Sequence, residues 1–223
     1  MTKNNLRKIF LSKRKSLSLN LLQEKSKAIS QNFFEHFDLC KIKKVHVFLP
    51  ILRQNEINTW FIINEITQNY SHITPIISKS NFQTCNMESY ILNTNTKMVE
   101  NKMGIWEPTN AVKCPDKLID MILMPLLCFD KQGFRVGYGK GFYDRFLAKC
   151  RPDIIKIGLS LFEPVTKIDD VDVNDVRMDF CITTEPVCDN LEPDLCSTDF
   201  IGGYSHLTPS GFVHLWKFLT PKG

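Results

Sequence analysis

The most constraining feature of this 223-residue chain is a nearly unbroken apolar run, IDMILMPLLCF, from Ile119 to Phe129, closed by Asp130. A strand buried on both faces reads this way, because neither side of its pleat meets water. The run is too short for a membrane span, which needs roughly 18 to 20 apolar residues, and Pro125 interrupts it. Strands buried on both faces belong to parallel sheets covered by helices, and the flanking sequence supplies both elements. Residues 20–38 carry Leu21, Leu22, Ile29, Phe33, Phe34 and Phe37 at helical spacing, and KKVHVFLPI follows as a strand. Residues 56–66 return to helical spacing. HITPIIS is a short strand in which Pro75 argues for an edge or a break, and MESYIL is another strand. FDKQG is a turn, GKGFYDRFLAKC runs into a helix, and IIKIGLSLF and MDFCITTE are two further buried strands. The expectation is an α/β fold: one domain with a largely parallel central sheet flanked by helices. Ligands in such sheets bind at the carboxyl ends of the strands, so the loop between the 119–129 strand and the helix after Gly141 is the first place to look.

Composition narrows the class. The chain is 43% hydrophobic with a net charge of +4, which excludes disorder and bulk electrostatic wrapping of nucleic acid. Its length allows it to bury roughly 70% of the surface its unfolded form exposes, so packing alone can supply a core. The eight cysteines are widely spaced without a C-x-x-C pair, and Cys128 and Cys181 sit in apolar runs as small buried hydrophobes. A cytoplasmic protein, without membrane or nucleic-acid partners, is expected. The first 23 residues contain no acid but six bases, Lys3, Arg7, Lys8, Lys13, Arg14 and Lys15. Leu6, Ile9, Phe10 and Lys13 fall on one helical stripe, and Lys3, Arg7 and Arg14 on another. A transit peptide, a solvated helix face and an anion-binding helix all fit that pattern, the solvated face best. From Asp189 onward the chain carries −2, leaving +6 on residues 1–188, and turns rich in Gly, Pro, Ser and Thr. This tail reads as a poorly ordered extension, with a short closing helix at VHLWKFL as the alternative.

The chemistry concentrates in GFRVGYGKGFYDR, residues 133–145. Gly137, Gly139 and Gly141 alternate with Tyr138 and Lys140, and glycine lets backbone approach a ligand closely. N–H groups in such a loop, with Arg135 and Lys140 inside it, suit phosphate. It is not a Walker A loop, because Gly141 stands where Ser or Thr is required, nor a dinucleotide fingerprint, because Phe142 replaces the third glycine. A ligand-free glycine turn is the competing reading; the two bases, Asp144 one turn into the helix and the preceding buried strand weigh against it. Asp144 either stabilises the helix start or holds magnesium against the phosphates.

GYGKGFYDR, preceded by PLLCFDKQGFRV, resembles the signature of the 5-formyltetrahydrofolate cyclo-ligase family, also called 5,10-methenyltetrahydrofolate synthetases. The resemblance runs from about Lys3 to Glu185. It takes in the Leu-Arg of the basic helix, FLP followed by Glu56-Ile57-Asn58-Thr59, GIWEP, and the closing D-x-x-M-D-F-C-I-T-T-E. It implies a cyclo-ligase domain over residues 1–187 and an extension over 188–223. It further implies cyclisation of 5-formyltetrahydrofolate to 5,10-methenyltetrahydrofolate by a monomer, with ATP as co-substrate, Mg²⁺ as cofactor, and ADP and phosphate released. ATP would phosphorylate the formyl oxygen, a poor leaving group, before N10 attacks, leaving the protein the tasks of positioning and charge stabilisation. Carried over residue by residue, the resemblance assigns Lys3, Arg7 and the loop Arg135, Gly137, Tyr138, Gly139, Lys140, Gly141, Phe142 and Tyr143 to ATP, with Lys140, Arg135 and Tyr143 catalytic. Leu49, Glu56 and Trp106, with residues 138–142, would contact the folate, Glu56 accepting hydrogen bonds from the pterin N–H groups. On residue type alone Glu56 is a helix-start acid, Leu49 a core leucine and Trp106 a structural tryptophan. Asp144 would bind magnesium; the family's second acid falls on Val173, so Asp172 or Asp175 takes that role, Asp172 preferred. A non-catalytic binding relative tends to lack the intact loop and the folate-side Glu, both present here. An RNA-binding role would need displayed aromatics and a focused basic patch, neither of which the pattern suggests.

Overall fold

The computed structural model describes residues 1–184, 204–208 and 211–218. Two helices open the chain, α1 (Lys3–Lys15) and α2 (Leu19–His36), each started by a hydroxyl side chain, Thr2 and Ser18, that accepts a first-turn N–H. β1 (Lys44–Val47) leads through α3 (Trp60–Asn69) to β2 (Thr74–Asn81) and the hairpin strand β3 (Asn86–Ile91). A small ribbon of β4 (Met98–Glu100) and β5 (Trp106–Pro108) precedes β6 (Met121–Pro125), and a second ribbon joins β7 (Cys128–Phe129) to β8 (Arg135–Val136). Then come α4 (Phe142–Leu147), β9 (Ile155–Leu159), β10 (Phe180–Thr183), β11 (Tyr204–Thr208) and β12 (Gly211–Lys217).

Among the described residues the main sheet runs β11-β12-β10-β9-β6-β1-β2-β3. Neighbours from β10 to β2 pair in parallel, and the antiparallel partners lie outside them. The largely parallel sheet expected from the alternation is therefore present. Along β6 the side chains alternate between two cores. Met121 and Leu123 pack with Ile29, Phe33, Ile62 and Ile66 of α2 and α3, while Ile122 and Met124 pack with Phe146 and Leu147 of α4. That is why the strand shows no polar position. Cys128 and Cys181 are both fully buried, as their apolar runs predict.

The structure departs from the sequence reading in four places. Pro75 is not on an edge: β2 lies between β1 and β3. Its carbonyl accepts from Leu92 just outside the β2–β3 ladder, which begins at Ile76–Ile91, so the missing N–H removes no ladder bond. α3 starts at Trp60, not residue 56, and Glu56 lies before it. In α1 the inward stripe is Leu6, Phe10 and Arg14 at exact four-residue steps, while Ile9 is exposed. In the C-terminal extension, where poor order or a closing helix was expected, residues 204–208 and 211–217 are strands, and β12 pairs antiparallel with β10. Phe218 is buried edge-on against Phe129. The rest of that extension lies outside the described residues.

Candidate functional site

Strand order reverses direction between β1 and β6: from β1 the chain moves to β2 on one side and later to β6 on the other. The carboxyl ends of such a pair splay their outgoing loops apart and leave a crevice. Phe48, buried just beyond β1, is on one wall, and Leu126, beyond β6, is on the other; Leu49 is buried in the same core cluster as Phe48. Asp130 orients the ribbon that launches the glycine loop. It is fully buried and its carboxylate accepts N–H groups from Gln132, Phe134 and Ile168 at 3.0–3.1 Å.

The loop from Gly137 to Gly141 is held from outside rather than by its own turns. Arg7 of α1 donates from Nε to the Gly137 carbonyl at 2.9 Å, and Arg145 of α4 donates from Nη1 to the Lys140 carbonyl at 2.7 Å. Gly139 and Gly141 have φ of +87° and +66°, a region that excludes most side chains. Among the described residues, none of the five N–H groups of residues 137–141 donates to a protein backbone acceptor. Residues 138–140 are exposed, so these donors face solvent or a ligand. The Lys140 side chain is likewise exposed and makes no ion pair among the described residues.

Below the loop lies a ring of paired charges. Arg135 spends Nη2 on Asp144 at 2.8 Å and Nη1 on the Val176 carbonyl at 2.6 Å. Asp144 also accepts the Val176 N–H at 3.2 Å, which ties α4 to the 172–176 loop. Lys3 pairs with Asp175, whose carboxylate accepts the Asp172 N–H as well. Asp172 caps its own turn through Asn174, and those hydrogen bonds hold its carboxyl below the usual range.

A buried polar group closes the other side. Glu56 is 4% exposed; its Oε2 accepts the Ile51 N–H at 2.8 Å and its Oε1 the Tyr138 hydroxyl at 2.6 Å. Arg14, 3% exposed, donates to the same tyrosine oxygen and lies over its ring. Burial raises the Glu56 carboxyl above its ordinary value, and Arg14, the Tyr138 hydroxyl and the Ile51 N–H pull the other way. The Tyr138 and Tyr143 phenols are raised by burial first and then by the Glu56 charge, with Arg135 opposing at Tyr143. His46, also fully buried, is pushed down to about 3 by desolvation. It packs against Tyr143 and Phe146 as a neutral core residue.

Lys3, Arg7, Arg135, Glu56, Tyr138 and Asp144 thus come together from three stretches far apart in the chain, 3–7, 56 and 135–144, around the loop that holds Lys140. Phe142 turns aside to meet Phe82 edge-on. Trp106 is exposed on β5, and no hydrogen bond or ring contact ties it to this group. Arg14 is the site residue that the sequence reading passes over. Its signal was its place on one stripe with Lys3 and Arg7; its burial depends on what α1 packs against.

Among the described residues no three His, Cys, Asp or Glu side chains are grouped to hold a metal. Mg²⁺ asks less of a protein. It keeps several waters and takes one or two carboxylates plus substrate phosphates. Asp144 meets that demand: its Oδ1 carries both of its hydrogen bonds, leaving Oδ2 open.

Residues 1–184 match the model of the 5-formyltetrahydrofolate cyclo-ligase family. A Schizosaccharomyces pombe protein named probable 5-formyltetrahydrofolate cyclo-ligase is 26% identical over 207 residues, 86% of this chain and 99% of the yeast protein. A Haemophilus influenzae 5-formyltetrahydrofolate cyclo-ligase is 42% identical over 69 residues, 30% of this chain and 37% of its own length. The solved structure of Aquifex aeolicus 5,10-methenyltetrahydrofolate synthetase superposes with a TM-score of 0.69 at 27% identity, covering 82% of this chain and 90% of that one.

Proposed function

The chain belongs to the 5-formyltetrahydrofolate cyclo-ligase family, and from that premise we propose that it closes 5-formyltetrahydrofolate to 5,10-methenyltetrahydrofolate at the expense of ATP, as a monomer in the cytoplasm. The observation that carries this reading is the junction at Tyr138. The loop whose free N–H groups suit phosphate is the same loop whose tyrosine touches the buried Glu56.

The formyl oxygen on N5 is a poor leaving group until it is phosphorylated. That oxygen attacks the γ-phosphorus and ADP leaves; N10 then attacks the activated carbon and loses its proton, and phosphate departs with the former formyl oxygen. Little covalent work falls to the protein. Its residues align the oxygen with the phosphorus and neutralise the charge on the phosphoryl group. Lys3, Arg7 and the N–H groups of Gly137 to Tyr143 hold ATP, and Lys140, with no ion pair among the described residues, reaches the transferred phosphoryl group. Arg135 and Tyr143 line the reacting centre, Arg135 by way of Asp144. Asp144, with Asp172 or Asp175, would hold Mg²⁺, which supplies charge neutralisation to the phosphates when bound. Glu56 and Leu49 hold the pterin ring, and Trp106 would cover it from the ribbon. Residues 1–187 form the catalytic domain, and 188–223 are an addition to it.

The test is direct. The purified protein with 5-formyltetrahydrofolate and MgATP should give the absorbance of the methenyl product, dependent on ATP. Binding of both substrates without that signal would replace the enzyme reading with a binding one.

A further inference from the structure

Arg14 is a buried arginine that the reaction as described does not use. Its Nε–H is buried and has no hydrogen-bond partner among the described residues. Leaving such a donor unpaired costs about 1–3 kcal/mol, so a protein keeps one where something else completes it. Arg14 and Glu56 both line a small cleft with room of about 10 Å³, whose other walls are apolar residues such as Phe48, Leu127, Leu159 and Phe162. That is room for about one water, so a larger ligand enters only by displacing a side chain.

In the free protein one group bridges the two charged residues. The Tyr138 hydroxyl accepts from Arg14 and donates to Glu56. The groups facing Glu56 are therefore Arg14 of α1, the Ile51 N–H, and Tyr138 and Tyr143 from the loop and α4. Any ligand group that takes the place of the hydroxyl must do as it does, donating on the Glu56 side and accepting on the Arg14 side. A cyclic amide, with its N–H beside its C=O, satisfies both. An amidine bearing an amino group in place of the oxygen reverses the pair: its ring nitrogen turns a lone pair to the carboxylate and its amino N–H faces the arginine, and both are repelled.

We propose that Arg14 and Glu56 read the substrate ring as a donor–acceptor pair, Glu56 accepting the ring N–H and Arg14 donating to the adjacent carbonyl oxygen, with the Tyr138 hydroxyl as their stand-in when the site is free. The inference rests on the folate reading above and deepens it. Arg14 becomes the residue that selects the 4-oxo form of the ring, and Tyr138 the residue that the ring displaces.

The test measures dissociation constants by tryptophan fluorescence, using the full chain, 5-formyltetrahydrofolate, and its analogue with an amino group in place of the 4-oxo oxygen. Hydrogen bonds to charged groups translate to a preference of roughly 10- to 100-fold for the oxo form in the unaltered protein. Arg14→Gln should bring that ratio to within about threefold of unity. Tyr138→Phe should keep the preference. Arg14→Lys keeps a charge beside Glu56 but lacks the planar fork that fixes the donor direction, and serves if the Gln variant does not fold, with the same expected narrowing. An unaltered protein that binds both forms equally overturns the proposal before any variant is made. If the Tyr138→Phe variant loses the preference, or the Arg14 variants keep it, the ring is read by another group. An unaltered protein that binds neither form removes the folate reading together with this one; one that turns over the oxo form while the Arg14 variants keep full preference removes this inference alone.

Discussion

Adding one methyl group at two places in the glycine loop separates backbone geometry from ligand chemistry. At Gly139, φ is +87°, and a Cβ would lie 3.1 Å from the Arg7 guanidinium. At Gly137, φ is not in the left-handed range and a Cβ would meet nothing within 4 Å. Gly139→Ala should therefore cost about 1–2 kcal/mol, the penalty for a side chain in the left-handed region. The flexible end of Arg7 can move aside, so crowding adds little. Gly137→Ala should be neutral or gain about 0.4–1 kcal/mol, because alanine has fewer unfolded conformations to lose. At roughly 2–4 °C per kcal/mol for a chain of this size, the two variants should melt several degrees apart. The functional consequence is sharper. Moving Arg7 releases the Gly137 carbonyl and disturbs the loop N–H groups, so Gly139→Ala should raise KM for ATP at least tenfold while KM for the folate changes less. Circular dichroism melting and the methenyl absorbance assay read the two effects. Equal melting losses in both variants would refute the backbone argument. A destabilised Gly139→Ala with unchanged KM for ATP would refute the assignment of the loop to phosphate.

Four further outcomes are expected. Lys140→Ala and Asp144→Ala should each lower kcat at least 100-fold, while Lys117→Ala, on the turn before β6, leaves it within about twofold; equal rates in the three variants would remove the site. Glu56 must be ionised to accept pterin N–H groups, and burial raises its pKa. KM for the folate should therefore climb as pH falls through that raised value, and Glu56→Gln should give a high KM that does not vary with pH. A raised folded pKa also means that Glu56 favours folding most at low pH and loses that contribution as pH rises from 4.5, the ordinary glutamate value, through the folded one. The melting difference between Glu56→Gln and the unaltered protein should accordingly shift in the variant's favour between pH 4 and pH 7. Phe218→Ala empties the space between Phe129 and Gly133 and should cost about 3–5 kcal/mol with kcat retained; an unchanged melting curve would show that this end of the chain is not part of the core.

Much of the parallel sheet was legible because burial on both faces writes itself as an uninterrupted apolar run. Ile122 and Leu123 need the same chemistry although they face opposite layers. Asp144 was legible because a glycine-rich turn, two bases and an acid at fixed offsets are a local pattern. Trp106 was expected at the folate along with Glu56 and Leu49, but a flat ring named in a sequence carries no direction; in the fold it lies exposed on a ribbon without a ring contact to the site among the described residues. Pro75 misled because a missing N–H marks an edge only when that N–H would have faced a strand, and here the ladder starts one residue later.

Arg14 marks the boundary between the two kinds of information. By itself the sequence determined the elements, the strand that must be buried, the glycine loop and its charges, since each follows from residues a few positions apart. Only the tertiary structure decided that the 3.6-residue turn of α1 carries Arg14 inward with Leu6 and Phe10, and that Glu56 waits before α3 rather than within it. Only the tertiary structure set one tyrosine hydroxyl between them. Contacts between residues 14, 56 and 138 depend on how α1 and the loop pack over the crevice beside β1 and β6, and no spacing along the chain encodes that distance.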